Sequence, residues 1–284
     1  MITLEQALTR AAGQLAAHPD LRHDAFRDAV SLLMHLLEIS RATLIAHPER
    51  TLDREQQATY QRLVERRLTF EPMQYILGET EFFGLALRVN PDVLIPRPET
   101  ELLVEHVLTS AAQAQSDTLR ILDVGTGSGA IALALAQNLP SATLTAVDLS
   151  PQALATAQQN AASLGLADRV RFLQSDLLNA VAAETFDIIV SNPPYIPTTD
   201  AVTLHPQVRD FEPSLALFAG ETGLDLYARL IPQALTALTP GGLLALEIGH
   251  GQETKIRQLL TGWQHIRFIP DLQHIPRLVR AQRP

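Results

Sequence analysis

A glycine-rich turn near the middle of the chain limits the folds that this sequence can adopt. Residues 123–129 read Asp-Val-Gly-Thr-Gly-Ser-Gly and separate a predicted strand, Ile121 to Val124, from a predicted helix, Ala130 to Asn138. Glycine allows a tight backbone turn and lets a ligand approach without a Cβ atom in the way. A turn at the carboxyl end of a strand is also where ligands meet an open α/β sheet. The turn therefore predicts an α/β fold with a ligand site at this edge.

Strands and helices alternate along the rest of the chain. Further strands are predicted at residues 143–147, 170–173, 186–190 and 243–248. Ser150 caps the helix that follows the first of these, and Pro151 occupies its first turn. Alternation of this kind predicts an α/β fold class: a doubly wound, mostly parallel, Rossmann-like sheet with helices on both faces.

The residues before this sheet have a helical pattern instead. Residues 1–75 predict a small helical bundle, in which Thr3 and Gln6 form a capping box ahead of the first amphipathic helix. Residues 76–96 predict a β-hairpin linker that closes near residues 90–92, and residues 97–284 form the sheet domain. The polar residues 112–118 predict a surface loop within it.

Composition argues against several classes of function. A net charge of −9 argues against general electrostatic binding to nucleic acid or to an anionic membrane. The chain has no cysteine, and its nine histidines form no His-Glu-x-x-His pattern, so we expect no metal site. No apolar stretch is long enough to span a bilayer, and the N-terminus does not resemble a secretory signal. We expect a soluble, cytoplasmic protein.

Acidic residues follow the second and third strands of the predicted sheet. A carboxylate at Asp148 can accept both hydroxyls of a ribose, although it can also stabilise the N-terminus of the next helix. Asp176 can accept an adenine amino group or cap the next turn, and Leu177 beside it is either a wall for the base or part of the core. Gly125, Gly127 and Ala130 also satisfy the relaxed dinucleotide pattern, which leaves a dehydrogenase open.

The fourth strand ends in an unusual tetrapeptide. Residues 186–191 are an apolar, strand-length run, and Asn192-Pro193-Pro194-Tyr195 follows it. Two consecutive prolines fix φ and lack an N–H group, so the segment can neither continue the ladder nor form a helix. It can hold backbone carbonyls beside one side-chain amide and one aromatic face. That combination suits a flat group with N–H donors, such as an amide or an exocyclic amine; otherwise it is a proline-rich turn.

Together these strand ends resemble the site of class I S-adenosylmethionine-dependent methyltransferases. Specifically, the chain resembles the protein-(glutamine-N5) methyltransferases that modify bacterial peptide chain release factors. The resemblance covers nearly the whole chain, although relatives often carry a larger residue than Leu177. Its more specific motifs are residues 72–78 (Pro-Met-Gln-Tyr-Ile-Leu-Gly), 82–84 (Phe-Phe-Gly), 94–101 (Leu-Ile-Pro-Arg-Pro-Glu-Thr-Glu), 211–217, 220–224 and 246–251.

The resemblance implies an activity and a set of site residues. S-adenosyl-L-methionine would donate a methyl group to the side-chain nitrogen of the glutamine in the Gly-Gly-Gln loop of release factors. The implied catalytic residues are Asn192, Pro193 and Tyr195, and the implied substrate-binding residues are Asn192, Pro193, Pro194 and Tyr195. The implied cofactor-binding residues are Gly125, Thr126, Gly127, Ser128, Gly129, Asp148, Asp176, Leu177 and Asn192. The helical domain would hold the body of the release factor, and we expect a monomer.

Other assignments share part of this pattern. Asn-Pro-Pro-Tyr also occurs in DNA adenine-N6 and cytosine-N4 methyltransferases, which need a basic groove for a flipped base. A glutamine methyltransferase of a ribosomal protein has the same chemistry, but residues 97–100, Arg-Pro-Glu-Thr, favour the release-factor branch. A non-catalytic binding module would not need these residues at all four strand ends. Arg97 either neutralises Glu99 and Glu101 or shapes the cofactor pocket.

Overall fold

The structure is a computed structural model that describes residues 2–114 and 118–284. The chain divides into two compact units. The first contains the residues up to Gly78 together with His205–Phe211, and the second contains Glu79–Leu204 and Glu212–Pro284. No helix in the described ranges has the length and apolar character needed to cross a membrane.

The first unit is helical, with one short antiparallel strand pair. Its elements up to residue 78 are β1 (Ile2–Thr3), α1 (Leu4–Ala16), α2 (Ala25–Leu37), α3 (Arg41–Ala46), β2 (Thr51–Leu52), α4 (Arg54–Leu68) and α5 (Met73–Leu77). The capping box predicted for Thr3 and Gln6 is confirmed, and Asp53 and Gln56 form a second one at α4. The apolar faces of α1, α2 and α4 share one buried core.

A buried ion pair connects the helices of the first unit to its distant segment. Arg67 Nε donates to Asp28 Oδ2 at 2.7 Å, and both side chains are almost fully buried. Arg67 Nη1 donates to Gln207 Oε1 at 3.0 Å, which fixes the segment His205–Phe211 in this unit. No local sequence signal marks such a contact, because the two partners are 140 residues apart.

The second unit is built on a mixed sheet. Its elements up to the tetrapeptide are β3 (Glu79–Phe82), β4 (Leu85–Arg88), α6 (Pro98–Gln113), β5 (Arg120–Val124), α7 (Ala130–Asn138), β6 (Thr143–Asp148), α8 (Pro151–Ser163), β7 (Val170–Gln174) and β8 (Phe186–Ser191). After α9 (Pro206–Arg209), which belongs to the first unit, come α10 (Ser214–Leu217), α11 (Asp225–Ala237), β9 (Leu238–Glu247), α12 (Glu253–Leu259), β10 (Gln264–Pro270) and β11 (Pro276–Gln282).

The sheet confirms the predicted α/β class. In the described ranges its strand order is β10-β11-β9-β8-β5-β6-β7, parallel from β9 to β7 and antiparallel at β10 and β11. Successive residues of the central strands enter opposite cores, since side chains alternate along a strand. Ile121 lies in one core, and Leu122 lies in the other. Burial of both faces is why the strands read as continuous apolar runs.

Some details differ from the sequence predictions. The hairpin closes at Phe83 and Gly84, not near residues 90–92, because both residues have positive φ (50° and 74°), which fits a two-residue turn. Asn90 instead accepts a hydrogen bond from the Asp92 N–H at 2.9 Å and forms a local turn. The loop predicted at residues 112–118 begins late, since α6 continues to Gln113, and residues 115–117 lie outside the described ranges.

Candidate active site

A cavity of about 480 Å³ lies at the carboxyl ends of the parallel strands. Eight of the predicted site residues line it: Gly125, Gly127, Asp148, Asp176, Leu177, Asn192, Pro193 and Pro194. The cavity is therefore the place where the glycine-rich turn, the two acidic strand ends and the proline-rich tetrapeptide meet. Its size is within the range of about 300–1,000 Å³ that is usual for small-molecule sites.

The glycine-rich turn is fixed to the end of β6. The backbone N–H groups of Gly125 and Thr126 both donate to the Val147 carbonyl, at 2.8 and 3.0 Å. Gly125 and Gly127 have φ values of 73° and 56°, and a Cβ atom added to either would meet no heavy atom within 4 Å. The backbone therefore borders open space, which is what a cofactor lying against the turn requires.

Three predicted residues of the turn contact other parts of the protein. Thr126 Oγ1 donates to the buried Asp123 Oδ2 at 2.6 Å, and the Ser128 carbonyl accepts from Asn160 Nδ2 at 2.9 Å. A Cβ atom at Gly129 would lie 3.1 Å from the Ala157 side chain, so glycine allows the start of α7 to approach α8. These contacts explain how the turn is built, and cofactor binding by the three residues remains a prediction.

Asp148 is held in place before any ligand binds. Its Oδ2 accepts from the Gly127 N–H at 2.8 Å, and its Oδ1 accepts from the Ser150 N–H at 2.9 Å. Burial raises the pKa of the carboxyl group, while hydrogen bonds from Ser150, Gly127 and Leu149 oppose that rise. Each carboxylate oxygen has more than one lone pair, so both can still accept a hydroxyl. The geometry fits the ribose-binding role expected for this residue.

Asp176 has a partner that the sequence did not indicate. Its Oδ2 accepts from Arg229 Nη2 at 2.6 Å, and both side chains are about half exposed. Arg229 lies on α11 and also lines the cavity. Nothing distinguishes this arginine in the sequence, because it lies on the polar side of an ordinary amphipathic helix. Leu177 is buried, has a positive φ of 51° and lines the cavity.

The tetrapeptide leaves the sheet beside the glycine-rich turn. Ser191 Oγ donates to the Val124 carbonyl at 2.6 Å, which fixes the end of β8 to the end of β5. Asn192 Nδ2 donates to Thr100 Oγ1 at 3.1 Å. The Tyr195 ring packs against the second core, and its hydroxyl donates to Glu247 Oε1 at 3.4 Å. Asn192 and Pro193 therefore face the cavity, while Tyr195 contacts the interior behind them.

The sequence interpretation gave no role to Thr100 or Glu247. Glu247 ends the apolar strand β9 and is buried with its carboxylate 2.7 Å from Thr100 Oγ1. A single acidic residue at the end of an apolar strand was the available signal. Arg97 pairs with Glu212 at 2.5 Å, a partner that the sequence did not indicate. Its two predicted roles, to neutralise Glu99 and Glu101 or to shape the cofactor pocket, stay predictions. Within the described ranges no cluster of histidine and acidic side chains is arranged to bind a metal.

Comparison with known proteins identifies the family of this chain. Residues 98–205 match the family model of the methyltransferase small domain, and residues 6–78 match that of the PrmC N-terminal domain. The release factor glutamine methyltransferase of Koribacter versatilis is 44% identical over 100% of this chain and 99% of its own length. That of Moorella thermoacetica is 42% identical over 99% of both chains. The chain belongs to the release factor glutamine methyltransferase family.

Solved structures support the fold of this family member. A methyltransferase from Pyrococcus furiosus aligns with a TM-score of 0.52 and 20% identity, over 71% of this chain and 90% of that one. The hMettl16 catalytic domain aligns with a TM-score of 0.58 and 17% identity, over 75% of this chain and 82% of that one. At these identities the likeness concerns the fold, and the chain is a methyltransferase by its family.

Proposed function

We propose that this protein transfers a methyl group from S-adenosyl-L-methionine to the side-chain nitrogen N5 of the glutamine in the Gly-Gly-Gln loop of peptide chain release factors. The observation that carries the proposal is that Asn192 and Pro193 line the same cavity as Gly125 and Asp148. A donor site and an acceptor site that share one cavity allow a direct transfer. The names of the relatives with full-length similarity support the release factor as substrate.

The residues around the turn suit the proposed cofactor. S-adenosyl-L-methionine supplies an electrophilic methyl group on a sulfonium centre. The open backbone at Gly125 and Gly127 would accommodate it, and the Asp148 carboxylate would accept its ribose hydroxyls. Asp176 and Leu177 would contact the adenine through a carboxylate oxygen and an apolar side chain. These groups are already fixed by their own hydrogen bonds, so binding needs little reorganisation of the turn.

The tetrapeptide suits an amide acceptor. An amide nitrogen is a poor nucleophile because its lone pair is delocalised into the carbonyl group. The Asn192 side-chain oxygen and the Pro193 carbonyl would accept its two N–H groups, and Tyr195, which contacts the interior behind them, would hold the tetrapeptide in place. The protein then contributes orientation and matched dipoles instead of an ionising base. The nitrogen loses its proton after the methyl group has been transferred.

The first unit would hold the body of the release factor. It exposes two large apolar side chains, Phe26 on α2 (61% exposed) and Ile45 on α3 (69% exposed). Contact of these side chains with a partner would remove apolar surface from water, which favours association. The substrate glutamine would enter the cavity of the second unit from a loop small enough to reach it.

A labelled-methyl transfer assay tests the proposal directly. The substrates are a purified release factor, the same factor with the loop glutamine replaced by alanine, and double-stranded DNA. We expect label only in the first, with mass spectrometry placing the added methyl group on the glutamine side chain. Label in DNA, or equal label in the glutamine-to-alanine factor, would overturn the proposed substrate. A short Gly-Gly-Gln peptide with a much higher KM than the full factor would support the role of the first unit.

A further inference from the structure

Glu247 occupies a buried position directly behind the proposed acceptor residue. Its side chain is nearly inaccessible (3% exposed), and so is that of Thr100 (4% exposed), which lies in the first turn of α6. Thr100 Oγ1 donates to Glu247 Oε2 at 2.7 Å, and Asn192 Nδ2 approaches the same Thr100 oxygen at 3.1 Å. The three side chains thus form a chain of hydrogen bonds that ends at the cavity.

The number of protons in this chain determines how the Asn192 amide is oriented. An ionised carboxylate only accepts hydrogen bonds, and a threonine hydroxyl has one proton to donate. The Thr100 hydroxyl therefore donates its one proton to Glu247. Its oxygen can then only accept a hydrogen bond from Asn192. Asn192 must present its NH2 group to Thr100. Its Oδ1 then points the other way, and it accepts no hydrogen bond from the residues that the structure describes.

We propose that Thr100 and Glu247 are positioning residues, which hold the Asn192 amide with Oδ1 directed at the substrate. The inference rests on the proposed function, in which that oxygen accepts an N–H group of the glutamine amide. Tyr195 adds to the same arrangement, because its hydroxyl donates to the other Glu247 oxygen at 3.4 Å. One buried carboxylate therefore orients both ends of the tetrapeptide.

The arrangement holds only while Glu247 is ionised. A protonated Glu247 can donate to Thr100, and Thr100 can then donate to Asn192 Oδ1, which permits the amide to turn by about 180°. Burial raises the pKa of Glu247 to about 7, with hydrogen bonds from Thr100 and Tyr195 opposing the rise. Glu99 on α6 raises this pKa further, and Arg277 on β11 lowers it.

Tyr227 also interacts with Glu247, and it does not change this conclusion. Tyr227 of α11 donates its hydroxyl to the Glu247 backbone carbonyl at 2.7 Å and so leaves the carboxylate oxygens to Thr100 and Tyr195. Burial raises the pKa of Tyr227 well above its usual value, so this tyrosine stays neutral where Glu247 titrates. The correct Asn192 orientation is thus present above the pKa of Glu247 and is lost as the pH falls through it.

Variants of Thr100 separate positioning from simple packing. Thr100→Val keeps the shape and removes the hydroxyl, so we expect kcat to fall by about 10- to 100-fold. The KM for the release factor and the affinity for S-adenosyl-L-methionine should change by less than about threefold, because neither depends on the Asn192 oxygen alone. Thr100→Ser restores the hydroxyl and should recover most of kcat. Equal kcat in the valine and serine variants would overturn the proposal.

Glu247→Gln tests the protonation argument. We expect the kcat of the wild-type enzyme to fall on the acid side with an apparent pKa near that of Glu247. Glutamine can accept from Thr100 through Oε1 or donate to it through Nε2 at any pH, so the variant should hold Asn192 in both orientations. Its kcat should be lower and should lack the part of the acid limb that comes from Glu247. Asp123 titrates in both proteins, so the difference between the profiles reports on Glu247. An identical acid limb in the variant contradicts the proposal.

A spectroscopic readout separates this inference from the proposed function. The side-chain NH2 signals of Asn192, assigned by their loss in Asn192→Ala, should shift with the ionisation of Glu247 and should lose that shift in Thr100→Val. This measurement needs neither cofactor nor substrate. If the wild-type enzyme fails to methylate a release factor but the signals titrate as described, the proposed function fails and the hydrogen-bond network stands. If the signals do not titrate, the positioning role fails.

Discussion

The Arg97 guanidinium donates to the Glu212 carboxylate at 2.5 Å, across 115 residues of sequence. The Glu212 side chain has no exposed surface and also accepts from the Ile95 backbone N–H at 3.3 Å. Arg97 immediately precedes α6, and Glu212 is the residue at which the chain re-enters the second unit. The pair therefore connects the first turn of α6, which carries Thr100, to the segment that leads into α10.

Removing Arg97 should destabilise the second unit. Arg97→Ala leaves a buried carboxylate without its partner, which costs about 3–5 kcal/mol of unfolding free energy. Burial raises the pKa of Glu212 and Arg97 lowers it, so the loss should be smaller at low pH, where Glu212 can be neutral. The loss of unfolding free energy can be measured by urea unfolding, with the fluorescence of Trp263 as the signal. Trp263 is the only tryptophan of the chain and lies in the core of the second unit.

Arg171→Ala is the matched control for that measurement. Arg171 pairs with the Glu184 carboxylate at 2.7 Å, but the arginine side chain is about half exposed. An exposed pair contributes about 0–1 kcal/mol, so this variant should unfold close to wild type. Equal losses in the two variants would show that burial of Glu212 does not determine the strength of the Arg97 contact.

The proposed acceptor residue should affect catalysis far more than cofactor binding. Asn192→Ala removes one preorganised hydrogen-bond acceptor from the cavity, so kcat should fall by about 100- to 1,000-fold. Affinity for S-adenosyl-L-methionine, measured by calorimetry, should change little. Asn138→Ala at the far end of α7, where the side chain is exposed and donates to the Ala134 carbonyl, is the control. Methylation close to the wild-type rate in Asn192→Ala would exclude Asn192 as the acceptor.

Asp148 should instead affect cofactor binding. Asp148→Asn replaces one carboxylate oxygen by an NH2 group, which must face either the Gly127 N–H or the Ser150 N–H, both of them donors. Loss of that hydrogen bond and of a ribose acceptor should weaken the binding of S-adenosyl-L-methionine by about 10- to 100-fold. Asp168→Asn, at an exposed position before β7, is the calorimetric control. Unchanged affinity in Asp148→Asn would remove this residue from the cofactor site.

The sequence was sufficient for the parallel strands of the sheet, and it indicated residues that the structure brings to one cavity, because these signals are local. A strand, a glycine turn at Gly125 and a helix follow one another directly, and so do β8 and Asn192. The contacts that it did not indicate join residues distant in the chain, such as Thr100 with Glu247 and Asp176 with Arg229. Such pairs are set by packing of the whole unit, and the residues have ordinary neighbours in sequence.

The two antiparallel strands at the edge of the sheet were also not predicted from the sequence. Residues 264–270 and 276–282 form the antiparallel strands β10 and β11, yet neither reads as a clear apolar run. They are polar where the edge is open to solvent, so backbone pairing of β11 with β9 and of β10 with β11 decides their structure. The hairpin turn was misplaced because Asn-Pro-Asp has strong turn chemistry, whereas Phe83 is an uncommon residue at positive φ.

Asp123 should make stability depend on pH. It is fully buried, and burial raises its pKa to about 7, with a hydrogen bond from Thr126 opposing the rise. The folded state therefore holds a proton that the unfolded state releases at lower pH, and the stability from this group is lost as the pH rises through about 7. Between about pH 5 and pH 8 the wild type should lose a few kcal/mol relative to Asp123→Asn.

Urea unfolding of both proteins across that pH range checks this prediction. Asparagine keeps an oxygen that can accept from Thr126 and does not titrate, so the variant should have the flatter curve. Glu212 and Glu247 titrate in both proteins and cancel in the difference. Parallel curves would mean that Asp123 is charged in the folded state over the whole range.

Gly223 packs against the backbone of Tyr195, the last residue of the tetrapeptide, and should not tolerate a side chain. Its φ is 71°, and a Cβ atom would lie 2.2 Å from the Tyr195 carbonyl oxygen. Gln252 Nε2 donates to that same oxygen at 2.9 Å and to the Gly223 carbonyl at 3.3 Å, so Gly223→Ala must displace both partners. Because Tyr195 follows the two prolines directly, the displacement reaches Asn192 and Pro193.

A second glycine separates this displacement from backbone strain. Gly251 has a similar φ of 76°, but a Cβ atom there would meet no heavy atom within 4 Å. Alanine at either position costs about 1–2 kcal/mol for the left-handed conformation. Gly223→Ala should lower stability further and reduce kcat, whereas Gly251→Ala should lower stability only, as measured by urea unfolding and the methyl-transfer assay. The same kcat in both variants would mean that the tetrapeptide keeps its geometry without support from Gly223.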